Sequence, residues 1–276
     1  ASGMRDGSET SLFIDVGTNG EMVLGSADWL VTCACSAGPA FEGAGIAHGM
    51  RADRGAIEEV WIDGSTYEPT SRVIGNAAPE GICGSGLISL VAEMFLTGIL
   101  DKGGNIDLTL DTSRVRRSRS GGEYVLAWAD ESATGEDIVI TTVDVDNLLR
   151  AKAAIYAGFN VLADGVGVVL ESVDRVLIGG SFGKYINVEK AVDIGLLPDL
   201  PWERFDYLGN TSVRGAYLAL LDRDARTEIA EIASSMTYIE LSADNSFYEA
   251  FTSALFLPHT DLSRFPSVAA AMTNKG

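Results

Sequence analysis

Two short apolar runs joined by a glycine-containing turn constrain the beginning of the fold more than any other feature. Residues 12–14 and 22–24 are apolar, and the dipeptide Asn19-Gly20 lies between them. Asn-Gly flanked by apolar runs is the strongest short-range signal for a β-hairpin. We therefore predict two antiparallel strands at the start of the chain, with a third at residues 29–35.

Later segments show first helical and then extended patterns. Apolar residues recur at helical spacing at residues 87–97 and, over a longer stretch, at residues 145–166. An apolar strand is predicted at residues 176–178 and a further helix at residues 188–194. Three leading strands followed by helix, strand and helix are typical of an α/β lobe with a mixed sheet flanked by helices.

The helical periodicity is lost between the first two helices. Residues 101–137 are rich in Gly, Asp, Ser and Arg, with one strand predicted at residues 124–128. Such punctuation is typical of a surface excursion. We expect an inserted subdomain at about residues 57–140.

The two ends of the chain are expected to lie outside the lobe. The first ten residues are polar and rich in Gly and Ser, so residues 1–10 are predicted to be a disordered leader or a cloning remnant. The lobe itself is assigned to residues 11–258. Residues 259–276 are predicted to be a C-terminal tail.

The charge balance excludes two classes of partner. The chain has 39 Asp and Glu against 20 Lys and Arg, a formal net charge of −19, and this field repels nucleic-acid phosphates and anionic lipid headgroups. No apolar run approaches the roughly 20 residues of a transmembrane helix, and the first residues lack the apolar core of a signal peptide. We expect a cytoplasmic protein that binds neither nucleic acid nor membranes.

Cysteine and histidine are too few for the common metal sites. The three cysteines, Cys33, Cys35 and Cys83, have neither zinc nor iron–sulfur spacing. Two histidines, His48 and His259, cannot supply a three-histidine zinc site. The thiols are expected to be small buried groups in a reducing compartment, and the histidines to be structural or exposed.

The turn of the first hairpin carries the most specific motif, Asp15-Val16-Gly17-Thr18-Asn19-Gly20-Glu21. A carboxylate at the end of a buried strand can hold the water shell of Mg²⁺, and a glycine turn lets backbone N–H groups approach a phosphate. An ordinary Asn-Gly hairpin explains Asn19 and Gly20 but not the Asp-x-Gly-Thr before them. On these residues alone, both interpretations remain open.

Glycines also follow the strand at residues 176–178 and precede the helix at residues 87–97. Gly179-Gly180-Ser181-Phe182-Gly183 either lets a ribose or a flat ring lie against the backbone or forms a tight turn. In the segment that precedes the helix, Ser85 is either a helix N-cap or a contact to an anion at the helix start. Glu42, in a Gly-Pro turn, can approach the same site as the first hairpin.

Basic side chains offer two further candidates. Lys152 lies among apolar residues of the long helix, where it either reaches a nucleotide ribose or phosphate or extends along the helix flank with its stem buried. A solvated loop or a docking patch for a partner is predicted from a cluster of four arginines: Arg114, Arg116, Arg117 and Arg119.

Taken in order, these motifs resemble one family. The segments at residues 13–21, 36–43, 81–87, 151–155 and 179–183 resemble the C-terminal region of the ATP-dependent reductive activators of corrinoid proteins. These activators belong to the superfamily of acetate kinase, sugar kinases, Hsc70 and actin (ASKHA). The resemblance covers about residues 11–258 and implies a ribonuclease-H-like lobe, one of two that close over ATP and Mg²⁺.

The resemblance also implies roles for individual residues. Asp15 would lie near the metal and the attacking water, with Glu42 as a second catalytic group. The phosphates would lie near the turn formed by Gly17, Thr18, Asn19 and Gly20. The adenosine motif would comprise Gly179, Gly180, Phe182 and Gly183, and Ser85 and Lys152 are assigned to the same cofactor site.

Such activators pass one electron from a [2Fe–2S] domain to cob(II)alamin on a partner protein and use ATP to drive the step. This chain contains neither the ferredoxin cysteines nor a first Asp-x-Gly-Thr motif upstream. We therefore expect the second lobe alone, with the [2Fe–2S] cluster in a separate N-terminal domain and weak or no ATPase activity here. Expected partners are a corrinoid protein and a second copy. A dimerisation or docking module and a small-molecule kinase remain alternatives.

Overall fold

The computed structural model describes residues 2–119, 121–180, 186–243 and 245–273. The strands in these ranges are β1 (Ser11–Val16), β2 (Asn19–Gly25), β3 (Leu30–Ser36), β4 (Ala56–Ile62), β5 (Pro69–Val73), β6 (Gly81–Ile82), β7 (Val115–Ser118), β8 (Gly121–Ala127), β9 (Ile138–Thr141), β10 (Arg175–Gly179), β11 (Phe205–Gly209) and β12 (Thr237–Tyr238). The α-helices are α1 (Gly84–Leu96), α2 (Thr142–Gly165), α3 (Val188–Asp193), α4 (Thr211–Leu221), α5 (Arg223–Ser235), α6 (Ser246–Ala254) and α7 (Pro266–Thr273).

A six-stranded mixed sheet forms the centre of the lobe. Its strand order is β11-β10-β1-β2-β3-β12. Strand β2 is antiparallel to both of its neighbours, β1 and β3. The other pairs are parallel: β10 with β1, β11 with β10, and β12 with β3. The predicted hairpin, third strand and mixed α/β sheet are confirmed. The turn differs from the prediction: it lies at Gly17 and Thr18, and Asn19 and Gly20 are the first residues of β2, where Gly20 pairs with Val16.

Helix α2 covers one face of this sheet. It begins with a capping box in which Thr141 and Asp144 satisfy each other's backbone N–H groups. Alternate residues of β1 and β2, including Leu12, Ile14 and Met22, are fully buried in the core below it. At Gly158 a Cβ would lie 2.7 Å from the Met22 sulfur, so glycine is what allows the helix to approach the sheet this closely.

The opposite face of the sheet is covered less completely. Ile232 and Met236, from α5 and its C-terminal end, pack against a small cluster formed by Met4, Leu30 and Leu177. Every residue of α4 and α5 remains at least partly exposed. Apolar side chains of α4 are among the most exposed, with Val213 at 63% and Leu220 at 81%.

The segment between β3 and α2 includes residues 57–140, for which the sequence predicts an insertion. It has two three-stranded sheets, β5-β4-β6 and β7-β8-β9, with α1 packed against β4. Ser89 of α1 accepts a hydrogen bond from the Val60 N–H at 3.0 Å and donates one to the Val60 carbonyl at 2.8 Å. Cys83, without a side-chain cap, precedes the first turn of α1. Ser85 lies inside that turn rather than at the N-cap.

Both ends of the chain differ from the expectation that they lie outside the lobe. Met4 is 7% exposed and belongs to the apolar cluster beneath α5. Phe265 and Val268 are fully buried, and Val268 belongs to α7, which extends to Thr273. The physical reason is the same at both ends, because each supplies apolar side chains to a sheet or helix face that would otherwise be exposed to water.

Among the described residues, each helix is too short or too polar to span a membrane.

Candidate functional site

Asp15 occupies the end of β1, where three strands meet. Across the sheet its register partners are Glu21 on β2 and Gly179 on β10. Its half-buried carboxylate accepts hydrogen bonds at Oδ2 from the Ser212 hydroxyl (3.1 Å) and the Thr211 hydroxyl (3.4 Å). Both hydroxyls belong to the first turn of α4, which Asn210 caps through the Val213 N–H.

The turn after Asp15 is tied to the next loop. The Gly17 N–H donates to the Asn19 carbonyl at 2.8 Å, and the Gly38 N–H donates to the Thr18 carbonyl at 2.9 Å. The Thr18 hydroxyl donates to Glu42 at 3.0 Å. Glu42 ends a short 3₁₀ helix that begins at Pro39. The structure thus brings Thr18 and Glu42 together beside the Asp15 hairpin, both exposed to solvent.

Gly20, the second residue of β2, is buried instead. A Cβ there would lie 3.1 Å from the Cys35 sulfur and 3.3 Å from Ile155 of α2. Its small size therefore serves the packing of the hairpin against α2, whereas the exposed Asn19 is free to face a ligand.

Two glycines border the site at the end of β10: Gly179 is the last residue of the strand and Gly180 follows it. Gly180 has φ = +85°, and a Cβ on it would lie 2.5 Å from Asp15 Oδ1. A Cβ on Gly179 would lie 2.9 Å from both the Phe13 ring and the Thr211 hydroxyl. Only glycine lets the backbone pass this close to the carboxylate. The other two members of the predicted adenosine motif, Phe182 and Gly183, lie outside the described residues.

A cavity of about 350 Å³ opens beside Asp15. Apolar side chains such as Phe13, Val23 and Ile232 form its floor, and Glu21 and Ser212 contribute polar groups. Residues of the N-terminal segment, including Met4, also line it.

A second cavity, which we call the insertion cavity, has a volume of about 370 Å³. It lies where the insertion meets the segment before α3 and the strand β11. Its lining residues are Glu58, Glu59, Arg72, Ser85, Ser89, Ile186, Asn187 and Tyr207. Ser85 therefore lines this second cavity, whereas Asp15 lines the first.

Lys152 is placed away from both cavities. Its side chain is fully buried, and its amine donates to the carbonyls of Phe256 (2.5 Å) and Pro258 (2.8 Å). Burial lowers the pKa of this amine well below its ordinary value. Lys152 thus joins α2 to the C-terminal segment, and the structure does not bring it together with Asp15.

The cysteines and one histidine have structural environments. Burial raises the pKa of the Cys33 thiol to about 12 and that of Cys35 to about 11, so both remain protonated at neutral pH. His259 is 5% exposed and stacks with Phe265 at a ring-centroid distance of 6.2 Å. Burial lowers its pKa, which favours the neutral ring.

The arginine cluster is largely neutralised within the fold. Arg114 is buried, pairs with Glu68 at 2.6 Å and lies over the Trp128 ring. Arg116 pairs with Glu123 and Asp137. Arg117 and Arg119 are exposed, so only half of the four charges face solvent freely enough to meet a partner.

Sequence reasoning missed Thr211 and Ser212, whose hydroxyls contact Asp15. The two hydroxyls are almost 200 residues from Asp15 in sequence, and no local pattern joins positions so far apart. The Asn210-Thr211 sequence is a recognisable helix start, but this signal indicates only a cap.

The chain was also matched in sequence and in fold by known proteins. A family model described as the C-terminal domain of RACo, the ASKHA domain, matches residues 9–269. The chain belongs to this family of ASKHA domains, and the resemblance derived from the sequence is confirmed.

Individual relatives are named for corrinoid activation. The chain is 37% identical over 247 residues to "Corrinoid activation enzyme RamQ" of Eubacterium limosum, with 87% of this chain and 41% of the relative covered. It is 28% identical over 249 residues to "[Co(II) methylated amine-specific corrinoid protein] reductase" of Methanosarcina barkeri, with 83% and 42% covered.

A solved structure gives the same result. The protein titled "Reductive activator for corrinoid,iron-sulfur protein" matches with a TM-score of 0.91 and 55% identity, over 96% of this chain and 42% of that one. The chain therefore spans about two fifths of the length of each of these relatives.

Proposed function

We propose that this chain is the ATP-binding lobe of a reductive activator of corrinoid proteins. The observation that carries the proposal is the contact between Asp15 and Gly180, which places a carboxylate and an open glycine backbone together at the end of the central sheet. The names of the relatives support the corrinoid protein as partner. In the complete protein, the reaction would reduce cob(II)alamin to cob(I)alamin with an electron from a [2Fe–2S] domain outside this chain.

The carboxylates at the site fit Mg²⁺ bound together with a nucleotide. Asp15 and Glu21 are register partners on neighbouring antiparallel strands, and like charges placed directly opposite each other destabilise a sheet. A divalent cation relieves this repulsion. Mg²⁺ is usually held by one or two carboxylates together with substrate phosphates and water. The described residues offer no cluster of three or more metal-ligating side chains, so phosphate oxygens would complete the coordination.

The two carboxylate oxygens of Asp15 have different roles in this proposal. Thr211 and Ser212 both donate to Oδ2, which fixes the orientation of the carboxylate. The lone pairs of Oδ1 then remain for a metal-bound water. Thr18 and Asn19, exposed in the adjoining turn, can contact phosphate oxygens, and Glu42 orients the Thr18 hydroxyl. In a protein of net charge −19, neutralisation of the phosphates by Mg²⁺ is required for tight binding.

ATP would drive the electron transfer through a change in affinity. A ligand shifts a conformational equilibrium only by the difference between its affinities for the two states. The nucleotide would therefore have to bind one arrangement of the complete activator and its corrinoid partner more tightly than the other.

Calorimetric titration with Mg·ATP and Mg·ADP tests the proposal, with Asp15→Asn as the variant. Asparagine keeps the size of the side chain and an acceptor for the α4 hydroxyls, but it removes the charge that holds the metal. We expect binding by the unsubstituted chain and at least about tenfold weaker binding by the variant, since a charge-assisted contact contributes about 1.5–3 kcal/mol. Asp206→Asn is the control, because Asp206 pairs with Arg175 on β10. Equal affinities for Asp15→Asn and the unsubstituted chain would refute the proposed role of Asp15.

A docking module is the second candidate function. The observation that favours it is the exposed apolar surface of α4, with Val213 63% and Leu220 81% exposed, since such surfaces often mark interaction sites. In the complete activator, Asp15→Asn distinguishes the two candidate functions. If this chain is a docking module, the variant activator still reduces the corrinoid partner. If this chain binds the nucleotide that drives the reaction, the variant loses this activity.

A further inference from the structure

The loop that follows Glu42 is held by the first two turns of α2. Asp144 is almost completely buried, at 2% exposed, and its Oδ1 accepts a hydrogen bond from the Ala47 N–H at 2.9 Å. One turn further along α2, the Asn147 side-chain amide donates to the Gly45 carbonyl at 2.9 Å. The start of α2 therefore fixes two points of a loop that lies far from it in the sequence.

The cap of α2 does not account for all the hydrogen bonds of Asp144. Its Oδ2 accepts hydrogen bonds from the Thr141 N–H (2.8 Å) and the Thr141 hydroxyl (2.7 Å), and these contacts belong to the capping box. The contact from Oδ1 to Ala47 serves the loop and not the cap. Because a buried carboxylate is costly unless it is hydrogen-bonded, the loop and Asp144 hold each other in place.

The loop after Glu42 is compact, so its orientation determines where Glu42 lies. Gly43 and Gly49 approach each other so closely that a Cβ on Gly49 would overlap the Gly43 carbonyl oxygen. Directly after the loop, the Met50 N–H donates to the Ile82 carbonyl of β6 at 2.9 Å. The loop is therefore held by β6 as well as by α2, and it remains attached to the fold when one α2 contact is removed.

Glu42 joins this loop to the turn between β1 and β2. Its Oε1 accepts a hydrogen bond from the Thr18 hydroxyl at 3.0 Å. Gly17, the residue before Thr18 in the turn, gives the backbone conformational freedom, which a bound phosphate would remove. Fixing Thr18 beforehand reduces this entropic cost of binding.

We propose that Asp144 and Asn147 are positioning residues: they fix Glu42, and through it Thr18, and so increase the affinity of the site for the nucleotide. This inference rests on the proposed function, because it requires the phosphates to lie at the turn that contains Thr18. It assigns a role in binding to the start of α2, which none of the sequence motifs includes.

Asn147→Ala tests this role more cleanly than a substitution of Asp144, which would also disturb the cap of α2. Calorimetry measures Mg·ATP binding by the unsubstituted chain, Asn147→Ala, Thr18→Val and the double variant. We expect Asn147→Ala to weaken binding about threefold to tenfold, as is typical of residues that act through a network of contacts. In the Thr18→Val background the same substitution should have little further effect, because the hydroxyl through which it acts is absent.

Thr142→Val is a matched control in the first turn of α2. The Thr142 hydroxyl accepts a hydrogen bond from the Gly122 N–H and donates one to the Gly122 carbonyl, both at 3.1 Å, so it holds α2 to β8 and not to the loop. This variant should bind Mg·ATP as tightly as the unsubstituted chain. A loss as large as that of Asn147→Ala would mean that any disturbance of this turn weakens binding, and the positioning role would be overturned.

The outcomes separate this inference from the proposed function. A loss of affinity that depends on the Thr18 hydroxyl supports the positioning role, since a purely structural role lowers affinity equally in both backgrounds. Unchanged affinity in Asn147→Ala, or an equal loss with and without the hydroxyl, would overturn this role while leaving nucleotide binding intact. Absence of Mg·ATP binding by the unsubstituted chain would refute the proposed function and this inference with it.

Discussion

The buried amine of Lys152 makes a quantitative prediction about stability and pH. The amine is completely buried, and the groups that accept its hydrogen bonds are the uncharged carbonyls of Phe256 and Pro258. Burial lowers its pKa well below the ordinary value of 10.5. In the unfolded chain the amine is exposed to water and recovers that ordinary value, so between the two pKa values the unfolded state binds one more proton than the folded state.

The sign and size of the effect follow from this difference. The free energy of unfolding rises with pH wherever the unfolded state binds more protons, by up to about 1.4 kcal/mol per pH unit for one proton. Lys152→Met removes the titrating group and this contribution. The stability of the unsubstituted chain relative to Lys152→Met should therefore increase between pH 7 and pH 9, by up to about 2.7 kcal/mol.

Urea unfolding followed by circular dichroism at pH 7, 8 and 9 measures this difference. Taking the difference between two chains cancels the titration of all other groups. Lys102→Met, which removes an exposed lysine, is the control and should show a difference that does not change with pH. A constant difference for Lys152→Met as well would mean that the amine stays protonated in the folded protein, and the argument from burial would then fail.

Two further predictions concern the glycine pair and the thiols. Gly180→Ala should destabilise the fold and abolish nucleotide binding, because the new Cβ would lie 2.5 Å from Asp15 Oδ1. Gly135→Ala is the control, because Gly135 also has a positive φ (+73°) but has open space around its Cβ position. This substitution should lower the free energy of unfolding only by the roughly 1–2 kcal/mol of backbone strain. Equal melting temperatures for the two variants would contradict the proposed contact. Cys33 and Cys35, with pKa values raised by burial to about 12 and 11, should resist alkylation at pH 8 until the protein is unfolded. Mass spectrometry after brief iodoacetamide treatment checks this, and rapid labelling of the native protein would count against it.

The parts of the fold that depend on local patterns could be predicted from the sequence. The two apolar runs predict β1 and β2, although Asn19 and Gly20 begin β2 instead of forming the turn. The apolar periodicity at residues 145–166 predicts α2, which spans Thr142–Gly165. Gly98, with φ = +80°, follows the C-cap Thr97 of α1, and a glycine at this position is a common local signal for the end of a helix. These features depend on residues close together in the chain, where turn chemistry and helical spacing operate.

Features that depend on distant residues could not be predicted. Lys152 looks the same in the sequence whether its amine extends to solvent or meets carbonyls more than 100 residues later. In the sequence, Met4 belongs to a polar segment, and nothing local indicates that its side chain packs in an apolar cluster on the central sheet. For the candidate site, the sequence indicates Asp15 and the glycines, but it does not reveal that α4 holds the carboxylate.

The parallel pairing of β1 with β10 has a consequence for how the chain folds. The register joins Ser11 to Arg175, so the outer edge of β1 remains open until the insertion and α2 have been synthesised. Pairings over such separations are slow to form, because the entropy of closing the loop is lost before contacts are gained. An open, apolar strand edge is also a template for association with other chains. We expect the refolding yield to fall with protein concentration, and aggregation during refolding to begin from this edge of the first hairpin.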